Sequence, residues 1–157
     1  MDRIASIELA LKNEKLEQAF YDNEARRSKN VAAESLFEIL AADEAHHMER
    51  LRVLHDKLVK EGAWPVDVPI EVKGTDIGSC LDDLVAERSS VKIHDDDDIA
   101  ALNRAIVFET EAAAFYADIA SQCNTLKEQR FFRFLANIEL EHKASIEQLL
   151  SFLQDDI

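Results

Sequence analysis

Glycine and proline are scarce in this sequence, three and two among 157 residues, and there is a single tryptophan. So few turn-formers leave little room for hairpins or a many-stranded sandwich, and sheet architectures are disfavoured. The two cysteines, Cys80 and Cys123, form no Cys-x-x-Cys pair, so they give no disulfide framework or zinc site, and a reducing cytoplasm is the expected compartment. No uncharged run approaches the roughly 20 residues of a membrane span. The opening Met1-Asp-Arg-Ile-Ala-Ser6 passes straight into an amphipathic pattern without the apolar core of a signal peptide, so no membrane partner is expected. Positive charge is in deficit: 18 Lys and Arg stand against 32 Asp and Glu, for a net charge of −14. Such a chain repels phosphates, which argues against nucleic-acid partners and anionic membranes.

What the chain has instead is alanine, leucine, glutamate and lysine, which lose little on entering a helix. With 47% hydrophobic residues, its length suits one domain, residues 1–157, with a proper core. Apolar residues at alternating steps of four and three predict a first helix over about 4–27, its inward side formed by Ile7, Leu11, Glu14, Gln18, Tyr21 and Ala25. After a turn near Ser28-Lys-Asn30, a second helix over about 31–61 turns Phe37, Leu40, Glu44, His47, Leu51, Leu54 and Leu58 inward. Gly62 suits its C-terminus, and Trp64-Pro65 forbids continuation. Residues 62–94 break the pattern with Pro65, Pro69, Gly74 and Gly78, leaving a short helical candidate over about 79–88. Connections within bundles are usually about two to eight residues, so so long a link predicts a crossover that makes the helices on either side of it parallel. A third helix follows the acids Asp95–Asp98, which suit a helix N-terminus and lack the glycine and final glutamate of a calcium loop. Its inward side reads Ile99, Leu102, Ile106, Glu109, Ala113, Tyr116 and Ala120. Thr125-Leu-Lys-Glu128 is a capping box for a fourth helix that faces Phe132, Leu135, Glu139, His142, Ile146, Leu149 and Leu153 inward. The expected architecture is an all-α four-helix bundle of helix pairs 4–61 and 98–154, joined by a crossover over 62–94.

Glu44-Ala-His-His47 and Glu139-Leu-Glu-His142 each carry a Glu three residues before a His, so both side chains project from one helix face. Taken alone, either pair reads as a solvated helix face. However, the offset of 95 that relates them also superposes Glu14 on Glu109, Phe20-Tyr21 on Phe115-Tyr116, Ala25 on Ala120, Leu40-Ala41 on Leu135-Ala136 and Leu54 on Leu149. The chain is an internal duplication of a helix pair. Each long helix thus sets an acid, or an acid and an imidazole, in the middle of an apolar side. Bare buried carboxylates would repel one another and lose hydration at several kcal/mol per ion, so something must neutralise them. Four negative charges balance two divalent cations, and mixed carboxylate and imidazole donors suit iron or manganese, with zinc acceptable. The pattern matches a known one, in which two helices give a Glu each and two others give Glu-x-x-His. His46, His55 and His94 fall off the inward phase or outside the repeat and read as surface residues.

Over its helix pairs, though not the link, the chain resembles the rubrerythrin-type branch of the ferritin-like superfamily. The residues that carry the likeness are Ala10-Leu-Lys-Asn-Glu14, Phe20-Tyr21 and Leu40-Ala-Ala-Asp-Glu44-Ala-His-His47, with duplicates Ala105-Ile-Val-Phe-Glu109, Phe115-Tyr116 and Leu135-Ala-Asn-Ile-Glu139-Leu-Glu-His142. The resemblance implies two iron ions per chain, ligated by Glu14, Glu44, His47, Glu109, Glu139 and His142, with Glu44 and Glu139 as bridges. It implies reaction with hydrogen peroxide or dioxygen, as a peroxidase or ferroxidase. Tyr21 and Tyr116 read either as core aromatics or as hydrogen-bond donors to the ligands, taking part in catalysis from behind them. Rubrerythrins proper carry a rubredoxin domain with paired Cys-x-x-Cys motifs, which this sequence lacks, so an external electron donor is expected. They also hold an extra Glu where this chain has Ala112; its duplicate is Glu17, a candidate additional ligand for the metal bound by His142. Leu9, Leu16, Phe20 and Phe134 are apolar enough to predict a homodimer. The alternatives are an oxygenase with an organic substrate, an iron-binding or storage protein, or an adaptor with a structural dimetal site.

Overall fold

The computed structural model describes residues 2–63, 75, 77–86 and 95–154. Trp64, Pro65, Pro69, Gly74, Arg88 and His94 lie outside them. The described residues form helices α1 (Arg3–Arg27), α2 (Val31–Glu61), α3 (Ile77–Ala86), α4 (Asp96–Gln122) and α5 (Leu126–Gln154), and no strand occurs among them. The four long helices fall where the periodicity put them, to within two residues at each end, while α3 begins two residues before its expected start. No helix among the described residues is long and apolar enough to cross a membrane.

Local chemistry sets the boundaries. Asp2, Asn30 and Asp95 cap α1, α2 and α4 by accepting the backbone N–H of Ala5, Ala33 and Asp98 at 3.2, 3.0 and 3.0 Å. Gly62 ends α2 with φ of 73°, a left-handed conformation in which its N–H reaches the Leu58 carbonyl at 2.8 Å. The acidic run divides its labour. Whereas Asp95 caps α4, buried Asp98 accepts the N–H groups of Lys29 and Asn30 and pairs with Arg27 at 3.1 Å, tying the α1–α2 turn to α4. In the capping box, Thr125 accepts the Glu128 N–H at 3.3 Å, but the Glu128 carboxylate pairs with Arg3 at 3.2 Å.

Residue pairings give the helix directions. Glu8 meets His55 across α1 and α2, Tyr21 meets Glu109 and Glu14 meets Tyr116 across α1 and α4, and His142 meets Asp43 across α5 and α2. Each of these pairs of helices is antiparallel. Since α2 and α4 both oppose α1, they run the same way, and the link between Gly62 and Asp95 joins opposite ends of the bundle.

The core is split in two. One apolar cluster gathers Tyr21, Leu36, Phe37, Leu40, Leu102, Ile146 and Leu149; the other gathers Ile7, Leu51, Leu54, Tyr116, Phe132 and Leu135. The offset of 95 exchanges them. Tyr21 stacks on Phe37 with ring centroids 6.0 Å apart, and their duplicates Tyr116 and Phe132 stack at 6.5 Å. Helix α3 breaks this symmetry, because Ile77 and Leu81 add to the first cluster only. Of the apolar residues expected at an interface, Leu9 and Leu16 are exposed, at 47% and 63%. Phe20 and Phe134 instead pack against the two clusters, so these rings find their partners within the chain.

Candidate metal centre

Between the two apolar clusters lies a buried polar layer. Glu14 enters it from α1, Glu44 and His47 from α2, Glu109 from α4, and Glu139 and His142 from α5; none is more than 1% exposed. The i, i+3 spacing turns both members of each Glu/His pair to the same side, and the duplication brings the two pairs face to face. The imidazole rings lie parallel to within 18°, their centroids 6.0 Å apart.

Two overlapping groups result. Glu14, Glu44, His47 and Glu139 form one, and Glu44, Glu109, Glu139 and His142 the other, each with ligating atoms within 4.8 Å of one another. Glu44 and Glu139 belong to both, the position a bridging carboxylate needs. His47 Nδ1 lies 3.4 Å from Glu139 and 3.9 Å from both Glu14 and Glu44. His142 Nδ1 lies 3.4 Å from Glu109, 3.7 Å from Glu44 and 3.9 Å from Glu139.

Buried polar atoms normally find hydrogen-bond partners, and in this layer many do not. Both oxygens of Glu44 and of Glu139, Oε2 of Glu14 and of Glu109, and Nδ1 of both histidines are buried without one among the described residues. The remaining oxygens of the terminal glutamates are taken. Tyr116 donates its hydroxyl to Glu14 Oε1 and Tyr21 donates to Glu109 Oε1, each at 2.5 Å. The pattern is that of a metal site: two doubly available carboxylates in the middle, two singly available ones at the ends, and one nitrogen per group. Ligands about 2.1 Å from one ion lie at most about 4.2 Å apart, so the observed spread closes onto an ion with small side-chain movement. The residues therefore fit metal ions, and the donor set suits iron, manganese or zinc.

Without metal, protons take over the neutralisation. Burial pushes Glu14 up to about 8 against the opposing hydrogen bond from Tyr116, and pushes Glu139 well above the carboxylate range. For Glu109, burial is outweighed by the nearby His142 charge, and its carboxyl stays low. The two histidines diverge. Burial, helped by the charge on His142, drives His47 down to about 3. His142 meets the same burial but sits against Glu109 and Asp43, which raise it to about 10.

Asp43 is the residue that the periodicity did not single out. It lies half-buried beside the inward side of α2 and receives His142 Nε2 at 2.8 Å, while Thr75, just ahead of α3, donates its hydroxyl to the same oxygen at 2.5 Å. Burial would raise Asp43, but these two hydrogen bonds hold it below its ordinary value. A carboxylate behind a ligating imidazole fixes the ring and makes it more basic toward a metal. The duplicate of Asp43 is Ile138, so the His47 half has no equivalent. That mismatch between the repeats is the signal in the sequence that could have found Asp43.

Glu17 joins neither group. Its Oε2 is buried without a hydrogen-bond partner, and its side chain lines a cleft between α1 and α4. His46 and His55 lie half-buried outside both groups, and His55 pairs with Glu8 at 3.0 Å. Cys123 lies in the second apolar cluster, its thiol donating to the Ile119 carbonyl at 3.2 Å.

No protein-family model, curated protein or solved structure matches the chain.

Proposed function

We propose that the chain is a ferritin-like bundle that holds two iron ions and acts as a non-haem oxidoreductase of rubrerythrin-like type, reducing hydrogen peroxide or dioxygen with electrons from an external donor. Manganese or zinc would suit the same donors. The reading is carried by the unpartnered oxygens and nitrogens of Glu14, Glu44, His47, Glu109, Glu139 and His142, divided into two groups that share Glu44 and Glu139. A pair of ferrous ions would supply the two electrons that reduce one peroxide to water.

The protein's own part is positioning and exclusion. Tyr21 and Tyr116 clamp one oxygen of Glu109 and of Glu14, leaving the other oxygen of each aimed into the layer. Burial and the adjacent carboxylates push both phenols well above 10, so each stays a hydrogen-bond donor at neutral pH. Asp43 orients His142, and the apolar clusters on either side keep bulk water from the carboxylates. The reading extends to a homodimer through a face that includes exposed Leu9 and Leu16.

Metal analysis combined with anaerobic stopped-flow tests it. The expected result is two iron ions per chain and oxidation of the ferrous protein by about one peroxide per site, much faster than by dioxygen, with turnover stalling until a reductant is added. Dioxygen reacting as fast as peroxide, with ferric mineral accumulating under excess ferrous iron, would favour iron storage. A loaded site inert to both oxidants would favour a structural role.

A further inference from the structure

The cleft between α1 and α4 is not accounted for by the metal layer. It encloses about 410 Å³ and reaches inward to Glu14 and Tyr116. That volume falls within the range of small-molecule sites, about 300–1,000 Å³. The duplication explains its place. Positions 16 and 111, and 17 and 112, exchange under the offset of 95, so the cleft lies between duplicated stretches of the two helices. Divergence explains its chemistry, because each position carries an acid on one helix and a small or apolar residue on the other: Leu16 against Glu111, and Glu17 against Ala112.

Phe108 and Phe115 wall the cleft and are held from behind. Phe108 meets Phe20 edge-on with centroids 5.0 Å apart, and Phe115 meets Tyr116 edge-on at 5.5 Å. Ala112 leaves the middle open. Glu17 supplies the polar anchor, since its Oε2 is buried without a hydrogen-bond partner among the described residues, and Glu111 adds a second carboxylate on the opposite wall. Among the described residues no lysine, arginine or histidine lines the cleft.

We infer that this cleft is a binding site for a small arylalkyl amine. The ammonium group would lie between Glu17 and Glu111, with its ring between Phe108 and Phe115, and the end of the molecule would rest against Glu14 and Tyr116. Aromatic faces attract a cation and carboxylates pair with it, so head and body are recognised together. An anion of the same shape would meet the Glu111 carboxylate and could not pair with the Glu17 carboxyl in its ionised form, so it gains nothing at the polar end of the cleft. The inference rests on the cleft and not on the di-iron reading, although a molecule bound there would stand beside the metal layer as an organic substrate or electron donor.

The test titrates the full chain with phenethylamine, phenethyl alcohol and phenylacetate, by calorimetry and NMR, in both chelator-treated and metal-loaded protein. Phenethylamine should bind both forms, roughly ten-fold more tightly than the alcohol, and in chelator-treated protein its binding should release the proton that burial holds on Glu17, read from the dependence of the heat on buffer; phenylacetate should not bind. Glu17→Gln should remove the preference for the amine while leaving binding of the alcohol unchanged. Leu16→Trp, at a position exposed in the single chain, should fill the cleft and weaken both ligands roughly ten-fold, with the melting temperature and the oligomeric state reporting an intact fold and assembly. Equal binding of amine and acid, or full binding in the Leu16→Trp protein, would overturn the inference. So would a Glu17→Gln protein that loses metal but keeps its amine preference, for that would assign the carboxyl to the metal layer. The two readings separate cleanly. Amine binding to a protein that takes up no iron sinks the di-iron proposal alone, and a loaded centre with no amine binding sinks this one alone.

Discussion

Removing metal should expose a pH dependence that runs through Glu14. In the folded metal-free chain its carboxyl ionises at about 8, whereas in the unfolded chain it ionises near 4.5. Between those values the folded chain holds a proton that the unfolded chain has released, so stability falls as pH rises, by about 1.4 kcal/mol per pH unit. The loss is absent below pH 4.5, reaches about 3 kcal/mol at pH 7 and levels off near about 5 kcal/mol above pH 8. Glu17, raised to about 10, acts in the same direction from about pH 4.5 upward, and His142, also raised to about 10, does so above pH 6.5. His47, lowered to about 3, acts in the opposite direction but only below pH 6.5. Between pH 6.5 and 8 His47 no longer contributes and Glu17 and His142 act alike in both proteins, so the comparison isolates Glu14: Glu14→Gln should reduce the fall in stability by about 2 kcal/mol relative to wild type. With a urea dependence of about 1–3 kcal/mol per molar, that difference moves the midpoint by about 1 M. Urea titrations in chelator at several pH values would measure it, and unchanged slopes of stability against denaturant would show that the unfolded state is the same. Parallel pH profiles for wild type and variant would refute the reasoning, because Glu14 would then ionise alike in both states. In metal-loaded protein the trend should reverse, since binding has to displace these protons.

Glu44→Ala and Glu139→Ala should each lose metal from both positions, and full occupancy in either variant by metal analysis would remove that residue from the shared role. Chelation should lower the melting temperature, as metal at 100 times its dissociation constant adds about 2.7 kcal/mol; no change after verified removal would show that the protonated site is equally stable. Asp43→Asn should weaken one of the two metal positions by about 10–100-fold in competition titrations while sparing the other, and Thr75→Val should act in the same direction. Equal weakening of both positions would contradict the asymmetry seen at His142. Leu54→Ala, in the second apolar cluster, should cost about 2–5 kcal/mol in urea midpoints whether or not metal is present.

The helix pairs and the six buried donors were legible in the sequence because two periodicities coincide there. The helical repeat says which side of each helix is buried, and the duplication says which polar residues share that side with a counterpart. Glu14, Glu44, His47, Glu109, Glu139 and His142 satisfy both conditions, and the structure brings all six into one layer. Glu17 satisfies neither in full: it lies at the edge of the inward phase and its counterpart is Ala112, which fits its position in the cleft wall instead of the layer. Phe20 and Phe134, expected with Leu9 and Leu16 on exposed apolar faces, are partly buried for a different reason. A helical repeat does not say how far a large ring can reach sideways, and both rings lean back onto the core.

What the repeat could not show is how the two halves differ, because a method that searches for matches discards mismatches. The differences gather on one side. Asp43 stands opposite His142 where the other half has Ile138, Thr75 arrives from the link that only one half borders, and Ile77 and Leu81 thicken only the first apolar cluster. These contacts connect the seating of α3 to the orientation of His142 through two hydrogen bonds. The two equivalent histidines shift in opposite directions because Glu109, with the hydrogen-bonded Asp43, outweighs the burial of His142, whereas the charges of Asp43 and Glu109 reach His47 without outweighing its burial. A symmetric ancestor would have held two like metal positions. In the present chain Asp43 and Thr75 brace the imidazole of His142, and the counterpart of Asp43 beside His47 is Ile138, so if both groups bind metal the two ions should differ in affinity even though their donors are the same.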